Sequence, residues 1–385
     1  MATVFLPSSD GPSPVLRLRE PASLTTASTP SRSRTVYAAA HVVADPRVAC
    51  AAAAPDGIDW EATLQLRRRI WALGLGVAES MDTAQRGMGL TWDVARELAL
   101  RSIAESRRIG GTVVVGIGTD QLTGPVSLDQ IRDAYVEQIA TIEDAGGEVV
   151  MMASRDLARV AQTPSDYVRV YEQVLTTARR PVILHWLGQC FDPALQGYWG
   201  FDEPKDAMDV VADLIANHAD TVRGIKVSLL DPALEVQLRE RIPAPARVFT
   251  GDDYHYTDLI AGDGRSNSDA LLGAFAAIAP YASAAFARLD AGDEQGFRDI
   301  LAPTEPLSRL IFAAPTQYYK VGVAWLAYLN GEQSHFRMLD GFEAGRSLAH
   351  LGQLIHAADN IGLFSDPDFT AQRARAYFAV HGIGA

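Results

Sequence analysis

Lysine is almost missing from this sequence: only Lys205, Lys226 and Lys320 stand among 34 basic residues, the others being arginine. Where arginine supplies the surface cations, a lysine reads as kept for an amine that loses its proton when buried. Cysteine is scarce too. Cys50 and Cys190 lie far apart and match no metal spacing, which argues against a disulfide framework and for a cytoplasmic, reducing setting. The opening Met-Ala-Thr-Val-Phe-Leu-Pro has no basic region and no long apolar run, and Ala49–Ala54 is too short to span a bilayer, so no membrane partner is expected. Positive charge is not in excess. A net charge of -13 and a pI near 5.1 exclude a broad nucleic-acid footprint and binding to anionic lipid, but not a local basic pocket for a small anion.

What is present is a regular alternation. Residues 1–34 are rich in Pro, Ser and Thr and read as an irregular arm, with an alternating Val15–Arg19 segment that fits a short strand or hairpin. From residue 35, short β-rich apolar runs follow one another: Val36–Val43, Leu75–Glu79, Thr112–Ile117, Glu148–Ala153, Pro181–Trp186, Val222–Leu229, Arg247–Gly251 and Ala270–Ala274. Helical periodicity fills the gaps at Asp59–Leu73, Trp92–Arg107, Leu128–Ala145, Ser165–Ala178, Ala207–His218 and Ala233–Arg241. Eight such units of about 30 residues predict an α/β fold, a (β/α)8 TIM barrel over residues 35–280. A doubly wound open sheet is the structural alternative; no Gly-x-Gly-x-x-Gly follows the first strand to support it. Beyond that the pattern turns helical, at Ala282–Asp290, Gly296–Leu301, Thr304–Phe312, Lys320–Leu329, Ala344–Asp359 and Ala371–His381, and predicts a C-terminal extension, residues 281–385, packed on the barrel.

Barrel enzymes carry their chemistry at the C-terminal ends of the strands. Lys226 sits there on the sixth strand, inside the apolar Val222–Leu229 run. Burial would lower its pKa and make it a nucleophile towards carbonyl carbon, the resulting imine serving as an electron sink. The alternative is a lysine facing outward to pair with a helix carboxylate. His185 ends the fifth strand and suits proton transfer at neutral pH, or equally a hydrogen-bonded core position. Asp252, Asp253 and His255 follow the seventh strand; they fit hydroxyl orientation, lysine tuning or a divalent ion, while at least one aspartate reads as structural. Glu79 and Asp82 after the second strand and His41 after the first are further substrate-binding candidates. Gly116-Ile117-Gly118-Thr119-Asp120 is a tight turn that lacks the Lys-Ser/Thr of a phosphate loop. In the tail, His335, His350 and His356 show no metal spacing, Lys320 reads as a solvated or interface lysine, and Trp325, Tyr328 and Phe336 as core or subunit contact.

Gly224-Ile225-Lys226, then Asp231, then Phe249-Thr250-Gly251-Asp252-Asp253, resembles the sixth and seventh strands of the dihydrodipicolinate synthase/N-acetylneuraminate lyase superfamily. Pro181–Leu184 resembles its fifth strand, and Ala145-Gly146-Gly147 leading into Val149–Met152, with Thr163-Pro164 and Tyr167, its fourth unit. The resemblance spans residues 36–330. It implies a barrel, a Schiff-base lysine at Lys226, and a homo-oligomer, a dimer or tetramer. It also implies aldolase, lyase or dehydratase chemistry on keto acids or sugar acids. Two departures mark a divergent branch: His185 stands where that family has a proton-shuttling Tyr, and Glu79-Ser80-Met81-Asp82-Thr83 replaces its Gly-Thr-Thr-Gly-Glu carboxylate clamp.

The leading expectation is therefore a cofactor-free, metal-independent lyase acting on a small carbonyl compound, a sugar-derived ketone or keto acid, with Lys226 as nucleophile and His185 as acid/base. A metal-dependent isomerase, hydrolase or aldolase built on His41, His185, Asp253 and His255 is the alternative. A non-catalytic sugar or keto-acid sensor is a third reading.

Overall fold

The computed structural model describes residues 2–7, 14–48 and 57–383; Cys50 and the Ala49–Ala54 run lie outside them. Among the described residues ten strands are present: β1 (Thr3–Phe5), β2 (Val15–Arg17), β3 (Val36–Ala39), β4 (Gly76–Glu79), β5 (Val113–Ile117), β6 (Glu148–Met151), β7 (Val182–Leu187), β8 (Val222–Ser228), β9 (Arg247–Thr250) and β10 (Asp269–Leu272). β3 to β10 pair in parallel and in sequence order, and β10 closes on β3. The expected eight-stranded barrel is what forms, and β8 is its sixth strand.

The helices start and stop where local chemistry dictates. Asp59 caps Trp60–Ala72 by accepting from the Ala62 N–H at 3.0 Å. Ser127 and Gln130 form a reciprocal capping box at the start of Leu128–Asp144. Gly110, at φ 77°, ends Trp92–Ile109 in the left-handed conformation. The fourth crossover holds an additional short helix, Arg155–Val160, before Pro164–Leu175. Periodicity missed it because six residues make under two turns.

Side chains alternate across every strand. Val36, Ala38 and Val77 face the surrounding helices, whereas Tyr37, Ala39, Ala78, Val114, Val150, Ile183, Phe249 and Leu271 pack together in the barrel centre. This parity decides the site: Lys226 and His185 belong to the inward set, and Glu79 does not.

The arm and the tail are one assembly with the barrel. β1 and β2 pair antiparallel, and Val4, Leu6 and Leu18 enter the apolar cluster that joins the outer face of β3 to the tail helices. Arg19 N donates to Asp359 Oδ1 at 2.7 Å, pinning the arm to helix Leu348–Asn360. The expected boundary at residues 280 and 281 falls inside a continuous helix, Ala279–Asp290, because the same apolar face serves barrel and tail. Trp325 and Phe336 are core residues; both stack on Tyr328 and pack against Tyr377, and Trp325 also meets Phe378 at a tilt. The tail also reaches the C-terminal mouth of the barrel. Ser308 Oγ donates to the Asp253 carbonyl at 2.6 Å, and Tyr319 meets Thr83 at 2.6 Å. Among the described residues no helix is long and apolar enough to cross a membrane.

Candidate active site

Lys226 and His185 are direct cross-strand partners on β8 and β7. Lys226 is 9% exposed and His185 fully buried. Burial disfavours the ammonium and lowers the Lys226 pKa, while the carboxylates of Asp253 and Asp82 pull the other way. Among the described residues no carboxylate oxygen lies within 4.0 Å of Nζ, so neither aspartate makes an ion pair by contact. The outward-facing alternative for Lys226 does not hold. Gly251 makes the inward pose feasible: a Cβ there would stand 2.7 Å from Lys226 Cε and 2.2 Å from Ser228 Oγ.

His185 Nε2 lies 3.2 Å from Ser228 Oγ, and its Nδ1 is buried with no hydrogen-bond partner. Burial, reinforced by the neighbouring lysine, holds its pKa well below the usual value, so the ring is neutral. Asp253 completes the group. Its Oδ1 accepts from the Ala274 N–H at 2.9 Å, and burial pushes its carboxyl up to about 7. An amine, a neutral imidazole and a carboxyl that titrates near neutrality therefore share the mouth of one barrel.

Several expected members are elsewhere. Glu79 points out of the barrel between helices Trp60–Ala72 and Trp92–Ile109. Arg67 binds it through two 2.8 Å hydrogen bonds, Ser102 Oγ donates at 2.5 Å and the Ser80 N–H at 2.8 Å. With both oxygens engaged in a fully buried pair, Glu79 binds no substrate; it supports the turn at Ser80, a non-glycine residue at φ 52°. His41 Nε2 meets Gln333 Oε1 of the tail at 2.7 Å, and burial drives its pKa down to about 4. Asp252 folds back on its own turn, accepting from the Tyr254 N–H at 2.8 Å and the His255 N–H at 3.1 Å, with the His255 ring against it. It is the structural aspartate of the pair, and His255 is its partner. His41, His185, Asp253 and His255 do not converge. Among the described residues no three His, Cys, Asp or Glu side chains are gathered so as to hold a metal ion.

Asp82 is where expected. It lines an open cavity of about 320 Å³ bounded by Arg86, Thr119, Asp120, Met152, Ser154 and Leu187. Its charge favours the Lys226 ammonium. Sequence reasoning missed three neighbours. Arg86 lies buried on the cavity wall, clamped to Asp120 by two 2.6 Å hydrogen bonds and to the Gly116 carbonyl at 2.9 Å. Tyr319 stacks on Phe312 with centroids 4.3 Å apart. Lys320, expected at the surface, is 1% exposed and lines the mouth beside Asp82; the apolar helix it opens buries it.

A family model described as a protein of unknown function, DUF993, matches residues 4–383. The chain belongs to the DUF993 family. No curated protein matches this DUF993 sequence. Among solved structures, it is similar to dihydrodipicolinate synthase from Aquifex aeolicus, at 14% identity and TM-score 0.64, over 86% of this chain and 99% of that one. The enzyme of the same name from Thermotoga maritima is 16% identical at TM-score 0.62, over 86% and 100%. That from Oceanobacillus iheyensis is 15% identical at TM-score 0.62, over 86% and 98%. At these identities the likeness is one of fold, and it agrees with the resemblance carried by Gly224-Ile225-Lys226 and Gly251-Asp252-Asp253. This DUF993 chain is a divergent branch on that fold.

Proposed function

We propose that this DUF993 protein is a Schiff-base lyase, of aldolase or dehydratase type, acting on a small carbonyl compound through Lys226. The observation that carries the reading is the inward, buried amine of Lys226 at the end of the sixth strand, its ammonium disfavoured by burial. The likeness in fold to proteins named dihydrodipicolinate synthase supports lyase chemistry on such a scaffold.

In this reading the neutral Nζ attacks the carbonyl carbon and gives a carbinolamine. A proton from the Asp253 carboxyl lets the hydroxyl leave as water, and an iminium forms on Lys226. The iminium accepts the electron pair released when the adjacent carbon–carbon bond breaks or its carbon is deprotonated. The neutral ring of His185 moves the proton at that carbon, a step such groups accelerate by about 10²–10⁴-fold. Hydrolysis then returns the amine. Asp82 orients the part of the substrate that extends into the cavity.

The test is borohydride trapping. Incubation with pyruvate, hydroxyacetone or dihydroxyacetone and then borohydride is expected to leave a reduced adduct on Lys226, read by intact mass and peptide mapping. Full-length protein that yields no adduct with any of these, nor with any compound it turns over, rejects the imine.

A further inference from the structure

We infer that Lys320 is the anion-recognising residue of this mouth, and that the substrate accordingly carries a carboxylate or a phosphate group. This deepens, and in its substrate assignment rests on, the function proposed above.

Most charges around the cavity are paired. Arg86 is clamped by Asp120, Arg155 pairs with Asp192, and Asp156 pairs with Arg159. Lys320 is different. Its Nζ touches the sulfur of Met88 at 3.2 Å, a weak acceptor, and stands 5.3 Å from the centre of the Tyr319 ring, while among the described residues no carboxylate oxygen lies within 4.0 Å of it. The side chain is nonetheless 1% exposed and lines a narrow space of about 20 Å³ with Asp82, Met88, Phe191, Asp192 and Tyr319, which shares Asp82 and Arg86 with the open cavity. A buried ammonium without a contact counter-ion is costly to keep.

A second observation points the same way. Lys320 stands in the first turn of helix Tyr319–Leu329, which has no acidic residue there. The helix dipole places partial positive charge at this end, so a lysine is disfavoured and an incoming anion favoured. Asp82 is the carboxylate whose field most favours the Lys320 ammonium, and after Asp253 it also favours that of Lys226, yet it contacts neither. Burial outweighs that field and holds Lys320 down to about 8. A substrate anion docked on Lys320 supplies the missing contact, and its carbonyl then extends past Asp82 towards Lys226.

The experiment compares wild type, Lys320→Met, Lys320→Gln and Lys320→Arg by thermal melting in D-glycerate, inorganic phosphate and neutral glycerol. None of these probes carries a ketone or aldehyde, so imine formation does not enter. One anion is expected to raise the wild-type Tm by about 2–4 °C at saturating concentration, with glycerol inert. D-glycerate acting alone identifies a carboxylate, and phosphate alone a phosphate. The shift is expected to vanish in Lys320→Met and Lys320→Gln and to persist in part in Lys320→Arg. Methionine suits the apolar surroundings, and glutamine is the second variant should it fold poorly. A wild type that neither anion shifts, or a full shift in both neutral variants, overturns the assignment. Borohydride trapping at Lys226 is scored separately. Wild type is expected to favour pyruvate over hydroxyacetone by about tenfold, and Lys320→Met to lose that preference while keeping the hydroxyacetone adduct. Absence of every adduct removes the imine chemistry and leaves the anion result standing.

Discussion

Gly251 faces Lys226 across the barrel mouth so closely that a Cβ at position 251 would lie 2.7 Å from the lysine Cε. The same methyl would come within 2.2 Å of Ser228 Oγ, the group that His185 Nε2 meets. No positive φ is involved; the glycine is required by the space the lysine occupies. Gly251→Ala is therefore expected to displace the amine and its neighbouring serine together. Borohydride labelling of Lys226 should fall by about tenfold or more, because near-attack geometry tolerates little error. Overpacking should cost about 1–3 kcal/mol, read from denaturant melts. A variant that labels at the wild-type rate would mean that the lysine does not react from the pose seen here.

Asp253 governs the amine by charge. Burial lowers the Lys226 pKa, and Asp253 then Asp82 oppose that lowering. Asp253→Asn removes the larger opposing charge, so the ammonium loses support and the amine deprotonates at lower pH. The rate of trappable imine formation rises with the free amine. Asparagine supplies no acid proton to the carbinolamine, so the maximal rate is expected to fall, while the rising limb moves to lower pH in Asp253→Asn, measured as initial labelling of Lys226 between pH 5 and 9. A limb that stays in place, or moves up, contradicts the coupling between the two groups.

The barrel was legible because its signal is repeated: eight β-rich runs separated by helical periodicity leave few other topologies. Lys226 was legible from rarity and strand position, and the structure turns it inward. Glu79 was misassigned for a physical reason. It ends β4 on the outward parity, and only the long-range partner Arg67, one helix earlier, explains a buried carboxylate there. Asp252 and Asp253 are adjacent in sequence and differ by a half-turn in direction, which composition does not reveal. Lys320 carried the same rarity signal as Lys226. Its helix belongs to a segment that folds back over the mouth, and that return is set by tertiary contacts such as Tyr319 to Thr83 and Ser308 to Asp253. His41 was read as mouth-facing for the converse reason, since the tail residue Gln333 that claims it lies 292 positions away.

The Glu79–Arg67 pair yields a prediction about stability. Both side chains are fully buried, so removing one partner strands the other's charge. Glu79→Leu is expected to lose about 3–5 kcal/mol, read from the shift in a urea melt. The double variant Glu79→Leu with Arg67→Met should recover most of that loss, since two apolar side chains leave no buried charge behind. Equal losses in the single and double variants would show that the hydrogen bonds to Ser80 and Ser102, and not the ion pair, hold this region together.

Glu235 provides the clearest pH dependence of stability. It lies on helix Pro232–Arg241, wholly buried, with Oε1 accepting from Ser268 Oγ at 2.7 Å and Oε2 without a partner. Burial pushes its pKa from 4.5 up to about 8, with Ser268 and Thr250 pulling slightly the other way. The folded state thus holds a proton that the unfolded chain releases above pH 4.5. The corresponding stability is complete below that pH and is lost as pH climbs through 8. The loss is on the order of 5 kcal/mol at most across that window. Glu235→Gln keeps the shape and removes the proton equilibrium. Its Tm is expected to decline less than that of wild type between pH 5 and 9, with the two curves separating most above pH 8. Parallel curves over that range would mean that Glu235 ionises in the folded protein without cost, which requires water or a cation beside Oε2.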